Sequence, residues 1–321
     1  MLLLGLTVVL GLQTGSFDYS FTDILQALTA EDAPGRMVVL ELRLPRIVLA
    51  FCTGAILALS GFFMQALIKN PLADPYIMGL TAGAGFGVNL VILGIIPLAG
   101  VSIYSFPLFA SIGGSLSLLF VIGLGFRAFM EDNAKLLIAG VAVSSLFTAI
   151  TGVMIYTLAD SDQVRRLVFW TFGSLSRSGW EGVWVSLTLL CIALIYGILN
   201  ARRLDILQMG DQQAQSLGLR VGRMKIYLLL ITSLVVGGCV AFTGPIGFVG
   251  MMIPHFSRSL WGSGHRQNIV LGSLLGGFFL LACDVLSRWV LPPAGLPIGI
   301  MTAILGVPFF LYVLFSRKSY L

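Results

Sequence analysis

Residues 47–67 read IVLAFCTGAILALSGFFMQAL, with Pro45 standing just ahead of them. The run carries no charge, and its one strongly polar side chain is Gln65. A helix needs about 20 apolar residues to cross the hydrocarbon core of a bilayer. Residues 47–67 meet that length, so they read as a membrane-spanning helix.

The rest of the chain agrees. Of 321 residues, 57% are hydrophobic and 10% are charged, whereas a soluble domain carries about 25% charged residues. Further apolar runs lie at 1–12, 77–96, 106–126, 136–158, 183–199, 226–242, 246–261, 269–290 and 298–315, ten runs in all with the first quoted. The run at 1–12 is short and has no basic flank or small-residue cleavage site, so it reads as a span rather than a signal peptide. The run at 246–261 is short and glycine-rich.

Alternating the ten runs across a membrane sorts the basic residues. Lys69, Arg127, Lys135, Arg202, Arg203, Arg220, Arg223, Lys225, Arg258, Arg266, Arg317 and Lys318 fall on one side. Arg36, Arg43, Arg46, Arg165, Arg166, Arg177 and Arg288 fall on the other, a split of 12 against 7. Basic residues favour the cytoplasm, so the first side is inside and both termini are cytoplasmic. The net charge of +5 then reports topology. No basic stripe interleaved with aromatics points to nucleic acid.

Two outer stretches are polar, at 13–42 and 159–181. In the first, Ser20-Phe21-Thr22-Asp23 forms a capping box ahead of a short helix over 24–28. In the second, Leu167-Val168-Phe169-Trp170 is an apolar patch among charges and reads as a short helix at the outer mouth. The largest inner stretch is 200–225, too long for a simple helix–helix turn. It reads as two short helices, over 204–209 and 212–217, with Asp211 as a cap and Gly218 in a left-handed closing position. Such a stretch is either a docking surface or an ordinary loop at the lipid headgroups.

Three further features stand out. Asn70-Pro71-Leu72-Ala73-Asp74-Pro75 is a polar turn bracketed by prolines, followed by Gly79, Gly83, Gly85 and Gly87, which suit helix packing or backbone beside a pathway. Arg43 and Arg46 flank Leu44-Pro45 at the outer end of the second run, and Arg288 follows Asp284 by one turn at the outer end of the ninth. Arginines there can capture carboxylates, or snorkel to headgroups with Asp284 paired to Arg288. Gly244-Pro245-Ile246-Gly247-Phe248-Val249-Gly250 is glycine-rich, but no Gly-Lys pair exists in the chain, so no P-loop is present. The chain is expected to lack an ATPase site and any catalytic residues. Cys52, Cys191, Cys239 and Cys283 sit singly in apolar runs, and His255 and His265 lack ligand spacing, so neither a metal site nor a bound cofactor is expected.

Together these motifs resemble the permease subunits of the iron-chelate and cobalamin ABC importers (the FecCD type). The resemblance runs from about residue 21 to 317. It is carried by Arg43-Leu44-Pro45-Arg46, the 54–61 segment, Asn70–Pro75, Gly210-Asp211 through Leu217-Gly218, Gly244–Gly250 with Ile253-Pro254-His255, and Leu296-Pro297-Ile298-Gly299 with Thr302-Ala303. It implies an all-α membrane protein with ten transmembrane helices, the BtuC-like type II importer permease fold. The chain would form a single permease domain over 1–321. It would work as a homodimer in a bacterial or archaeal cytoplasmic membrane, with two ATP-binding cassette subunits inside and a solute-binding protein outside. ATP and magnesium would be used by the ATPase partner alone.

The cargo implied is an iron–siderophore or similar metal chelate such as haem or cobalamin. Residues implied to meet the binding protein are Arg43, Arg46 and Arg288. Asn70 and Leu72 match gate positions. The stretch 200–225, through Gly210, Asp211, Gln212, Ala214, Ser216, Leu217 and Gly218, matches the coupling helices that seat in the ATPase. Two departures are plain. The family's threonine–serine gate pair has no match in Met130-Glu131-Asp132-Asn133, and Gly295 stands where a glutamate often precedes Leu296-Pro297. An inverted repeat is expected too. GAILALSG at 54–61 echoes GGCVAFTG at 237–244, on runs of opposite direction.

The translocation path is expected along the fifth run and 159–181, with Ser144, Ser145, Thr148 and Thr151 as hydroxyl lining. Few fixed charges there suit a chelate better than a bare ion. The rival reading is an ion-coupled secondary transporter without an ATPase, for which Asp284 is the one intramembrane acid at hand.

Overall fold

The computed structural model describes residues 2–15, 17–96, 105–131, 133–176, 179–292 and 294–315. Arg177, Arg317 and Lys318, used in the charge assignment, lie outside them. Among the described residues the chain is all helical, without a strand. In order come α1 (Leu2–Gln13), α2 (Phe21–Thr29), a π-helical turn (Val38–Arg43), α3 (Leu44–Ile68), a 3₁₀ turn (Pro75–Met78), α4 (Leu80–Ile92) and α5 (Ser105–Glu131). Then come α6 (Asn133–Leu158), α7 (Ser161–Thr171), α8 (Trp180–Gln208), α9 (Asp211–Ser216), α10 (Val221–Thr243), α11 (Val249–Trp261), α12 (His265–Val290) and α13 (Ile298–Phe315).

The quoted run forms the centre of the bundle. With the π-helical turn it makes a continuous helix over Val38–Ile68, whose apolar part is almost wholly buried inside the protein. It packs on α8, α10, α11 and α12. Hydrocarbon offers no hydrophobic drive to bring helices together, so close backbone approach through small residues matters more than in water. Gly54 lies against Gly276 of α12, and Gly61 against Gly250 of α11. A Cβ at either position would collide with the opposing carbonyl. By contrast α6 is largely exposed and turns Ile138, Val141, Leu146, Ile150 and Val153 outward.

Among the described residues six helices are long and apolar enough to cross a membrane, and three shorter apolar ones cover Leu2–Gln13, Leu80–Ile92 and Ile298–Tyr312. The expected run at 77–96 is divided: its start is the 3₁₀ turn, and α4 begins only after Gly79 at φ +79°. The run at 246–261 is likewise trimmed, because α11 starts after Phe248 at φ +70° and spans 13 residues. At 1.5 Å per residue that is about 20 Å, short of the roughly 30 Å core. Non-helical backbone at such depth is tolerable only when buried in protein. Here the two irregular segments meet, and the Tyr76 hydroxyl accepts the Ile246 N–H at 3.2 Å.

The polar stretches resolve as follows. Ser20 caps α2 with the reciprocal Asp23 box, and α2 is longer than the 24–28 read from sequence. Asp160 and Gln163 form a second capping box that starts α7. At 200–225 the expected first short helix does not exist separately, since α8 continues to Gln208. Ala201, Leu204 and Leu207 share a buried face there, so Arg202 and Arg203 interrupt the apolar window without ending the helix. Gly210, not Asp211, is the N-cap of α9. Gly218 takes the left-handed conformation expected, at φ +82°.

Candidate functional site

Most of the candidate side chains gather at the two ends of the bundle. At one end α3 and α12 meet antiparallel. Asp284, fully buried, receives Arg46 through Nη2 at 2.8 Å and Nε at 3.0 Å, and Arg288 at 2.9 Å. The remaining donors satisfy the end of α1, whose last carbonyls have no intrahelical partner. Arg43 donates to Leu12 O, Gln13 O and Phe17 O, and its guanidinium lies 4.7 Å from the Tyr19 ring centroid. Arg288 donates to Gly11 O at 3.0 Å and Thr14 O at 2.7 Å. The α1 C-terminus, a site of partial negative charge, is thus held by two arginines.

The three arginines are placed unequally. Arg43 is 7% exposed and the Arg288 side chain 8%, so both guanidinium groups are engaged within the chain. Arg46, at 21%, keeps an open edge. The Asp284–Arg288 pair was legible from its one-turn spacing, but Arg46, 238 residues away in sequence, was not.

Beside this cluster opens a cavity of about 970 Å³. Arg46, Arg166, Glu41 and Glu181 give it charge, and Phe169, Trp170, Trp180 and Phe242 give it aromatic wall. Its floor is a crossing of three backbones. The Ser174 N–H reaches Thr243 O at 2.7 Å, and the Gly299 N–H reaches Phe172 O at 2.9 Å. Gly244, at the head of the glycine-rich segment, and Leu296-Pro297 line the cavity. The lining combines aromatic faces with two guanidinium and two carboxylate groups, which suits a bulky ligand with apolar faces and polar edges. The expected path hydroxyls do not join it. Ser144 and Ser145 bond back to Gly140 O and Val141 O, and Ser145 and Thr148 face outward from α6. Thr151 is partly buried on the same helix. No group of three or more His, Cys, Asp or Glu side chains able to hold a metal exists among the described residues.

At the opposite end lie the turn after α3 and the short α9. The Asn70 side chain accepts the Leu72 N–H at 2.9 Å and its carbonyl accepts Ala73 N–H at 3.1 Å, so 70–73 is a tight unit. Asn70 is exposed and Leu72 half-buried. Asp211 joins this turn to α9. One carboxylate oxygen meets Lys69 at 2.5 Å, and the other meets the fully buried Lys225 at 2.7 Å. Burial acts to raise the Asp211 pKa, but the two ammonium groups outweigh it and hold it below the ordinary carboxylate range. A depressed pKa means the link is present above the usual carboxylate range and is lost only as pH falls through the lowered value. Gln212, Ser216, Leu217 and Gly218 are exposed, while Ala214 is buried and anchors the helix.

The FecCD transport family model matches residues 3–316. The hemin transport system permease protein HmuU of Yersinia pestis is 37% identical, covering 99% of this chain and 95% of that protein. The molybdate import system permease protein MolB of Haemophilus influenzae is 33% identical, covering 99% and 94%. A solved structure described as an inward-facing metal-chelate type ABC transporter superposes with a TM-score of 0.86 at 31% identity, covering 98% of this chain and 96% of that one. With a family model spanning nearly every residue and relatives above 30% identity along their whole length, this chain belongs to the FecCD transport family.

Proposed function

We propose that the chain is the membrane-spanning permease subunit of a binding-protein-dependent ABC importer, and that it moves a metal chelate inward by alternating access. The observation that carries this is the family match across residues 3–316. In this reading α1, α3, α4, α5, α6, α8, α10, α11, α12 and α13 are the ten membrane segments, with α3 and α10 at the heart of an inverted repeat. The arginine end faces outward, and the α9 end, with both termini, faces the cytoplasm. Two copies form the unit, with the outward apolar face of α6 and its hydroxyls Ser144, Ser145, Thr148 and Thr151 turned to the shared axis. A solute-binding protein seats over the outer cavity. Arg46 makes the direct contact, and Arg43 and Arg288 hold the surface that presents it.

The cargo class is supported by the cavity chemistry, aromatic walls with Arg46, Arg166, Glu41 and Glu181 at their edges, which favours a bulky chelate with apolar faces such as haem or an iron–siderophore. The hemin and molybdate permeases differ by only four points of identity to this chain, 37% against 33%. Sequence likeness therefore does not name the cargo. An ion-coupled carrier is disfavoured because Asp284 is already spent on Arg46 and Arg288.

The ATPase contact is assigned to α9 and its flanks, Gly210 to Gly218, with the turn at Asn70 and Leu72 as the inner gate. Leu217 is 61% exposed, a large apolar side chain at a place where a partner would cover it. Leu217→Asp should lower ATP-driven uptake at least about tenfold, the effect of roughly 1.4 kcal/mol lost at an interface. The thermal transition of the purified chain should not move. Full uptake by that variant would remove α9 from the coupling surface.

A further inference from the structure

Three features of the α9 end combine into a device. First, α9 is set off by glycines at positive φ on both sides, Gly210 at +121° and Gly218 at +82°. Its side chains are mostly exposed. It is therefore a small body tied to the bundle by few contacts, chiefly the buried Ala214 and the Asp211 ion pairs. Second, Lys69 ends α3 in the left-handed conformation, at φ +58°. Glycine or asparagine takes that position at lower cost. A lysine there is compensated by its ammonium, which reaches Asp211 at 2.5 Å. Third, Lys69 leads without a break into the tight 70–73 unit. Beyond it, Asp74 accepts the Tyr76 N–H at 2.9 Å, and the Tyr76 hydroxyl accepts Ile246 N–H. Ile246 follows Thr243 and Gly244, which line the outer cavity.

We propose that Lys69 is a positioning residue that, through its ion pair with Asp211, makes the Asn70–Leu72 turn move with α9. The proposal deepens the permease reading, because that reading supplies the force on α9. The link itself is a property of this chain alone. Lys225 holds the other carboxylate oxygen, so Asp211 is clamped between α10 and the turn, and a shift of α9 is delivered to the turn through Lys69. Lys69→Gln cuts only that leg and leaves Asp211 paired with Lys225.

The test needs neither ATPase nor cargo. Amide hydrogen exchange is measured on the full chain in lipid nanodiscs, at the two protected turn amides, Leu72 and Ala73, and over 211–219. Ala214→Gly loosens α9; a glycine in a helix costs about 1 kcal/mol relative to alanine, about fivefold in local opening. With Lys69 in place, exchange at Leu72 and Ala73 should rise by a similar factor. In the Lys69→Gln background, Ala214→Gly should still raise exchange over 211–219 but leave the turn unmoved. A merely structural Lys69 would change the baseline of the turn, not its response to Ala214→Gly. An equal response in both backgrounds, or no response at the turn in either, overturns the link. Because the measurement uses no transport, it stands or falls separately from the permease reading.

Discussion

Replacing Asp284 with asparagine is expected to destabilise the chain by about 3–5 kcal/mol, the usual result of removing one partner from a buried ionic cluster. The side chain is fully buried and takes both Arg46 and Arg288. Asparagine keeps the shape but removes the charge, leaving two guanidinium groups close together with Arg43 nearby. Arg46 loses a two-pronged contact. Arg288 keeps its bonds to Gly11 and Thr14 but holds an uncompensated charge away from water. Thermal unfolding in detergent, followed by tryptophan fluorescence, should show a midpoint lowered by about 10 °C, at roughly 2–4 °C per kcal/mol for a chain of this order of size. Adding Arg46→Leu to Asp284→Asn should recover part of the loss, because one stranded charge is then gone. A midpoint within about 2 °C of the parent would mean the cluster carries little of the α1–α3–α12 junction.

A loss of similar or greater size is expected from a single methyl group. Gly61 crosses Gly250 so closely that a Cβ would fall on the Gly250 carbonyl, its oxygen and carbon both within collision distance. Gly250 is itself packed against Pro75 and the Leu57 carbonyl. The clash is with backbone on a helix anchored on several sides, so no flexible side chain can turn away. Gly61→Ala must therefore separate α3 from α11, opening the most buried of the six candidate spans among the described residues. The cost should exceed about 3 kcal/mol, in the range typical of severe core overpacking. The readout is the yield of monodisperse protein in size-exclusion chromatography. Gly152→Ala on α6 is the control, since nothing lies within 4 Å of its Cβ position; it should purify as the parent does. Equal yields for the two variants would contradict the close crossing.

These two sites also mark the limit of what the sequence made legible. The apolar runs, the Ser20 capping box and the left-handed Gly218 depend on local pattern, and local pattern is written in neighbouring residues. The partners of Asp284 and Asp211 come from helices brought together only by folding. Arg46 lies 238 positions from Asp284, and Lys69 lies 142 from Asp211. The shortened α4 and α11 were hidden for another reason. Apolar composition continues through the 3₁₀ turn and the 244–248 segment, and the Tyr76–Ile246 bond that joins them across the fold is between residues 170 positions apart. Conversely, α8 outlasts its apolar window because its buried face keeps helical spacing past Arg202 and Arg203. The arginines were found as a group from their positions, but their burial was not, since an arginine that staples a helix end and one that greets a partner look alike in sequence.

The most direct test of the permease reading is uptake into proteoliposomes. The chain is reconstituted with an ATP-binding cassette partner and a solute-binding protein, and supplied with iron-labelled hemin or an iron–siderophore. The expected result is uptake that requires ATP on the α9 side and the binding protein on the arginine side, and that ignores imposed proton or sodium gradients. Uptake by the chain alone, driven by such a gradient and indifferent to ATP, would contradict it.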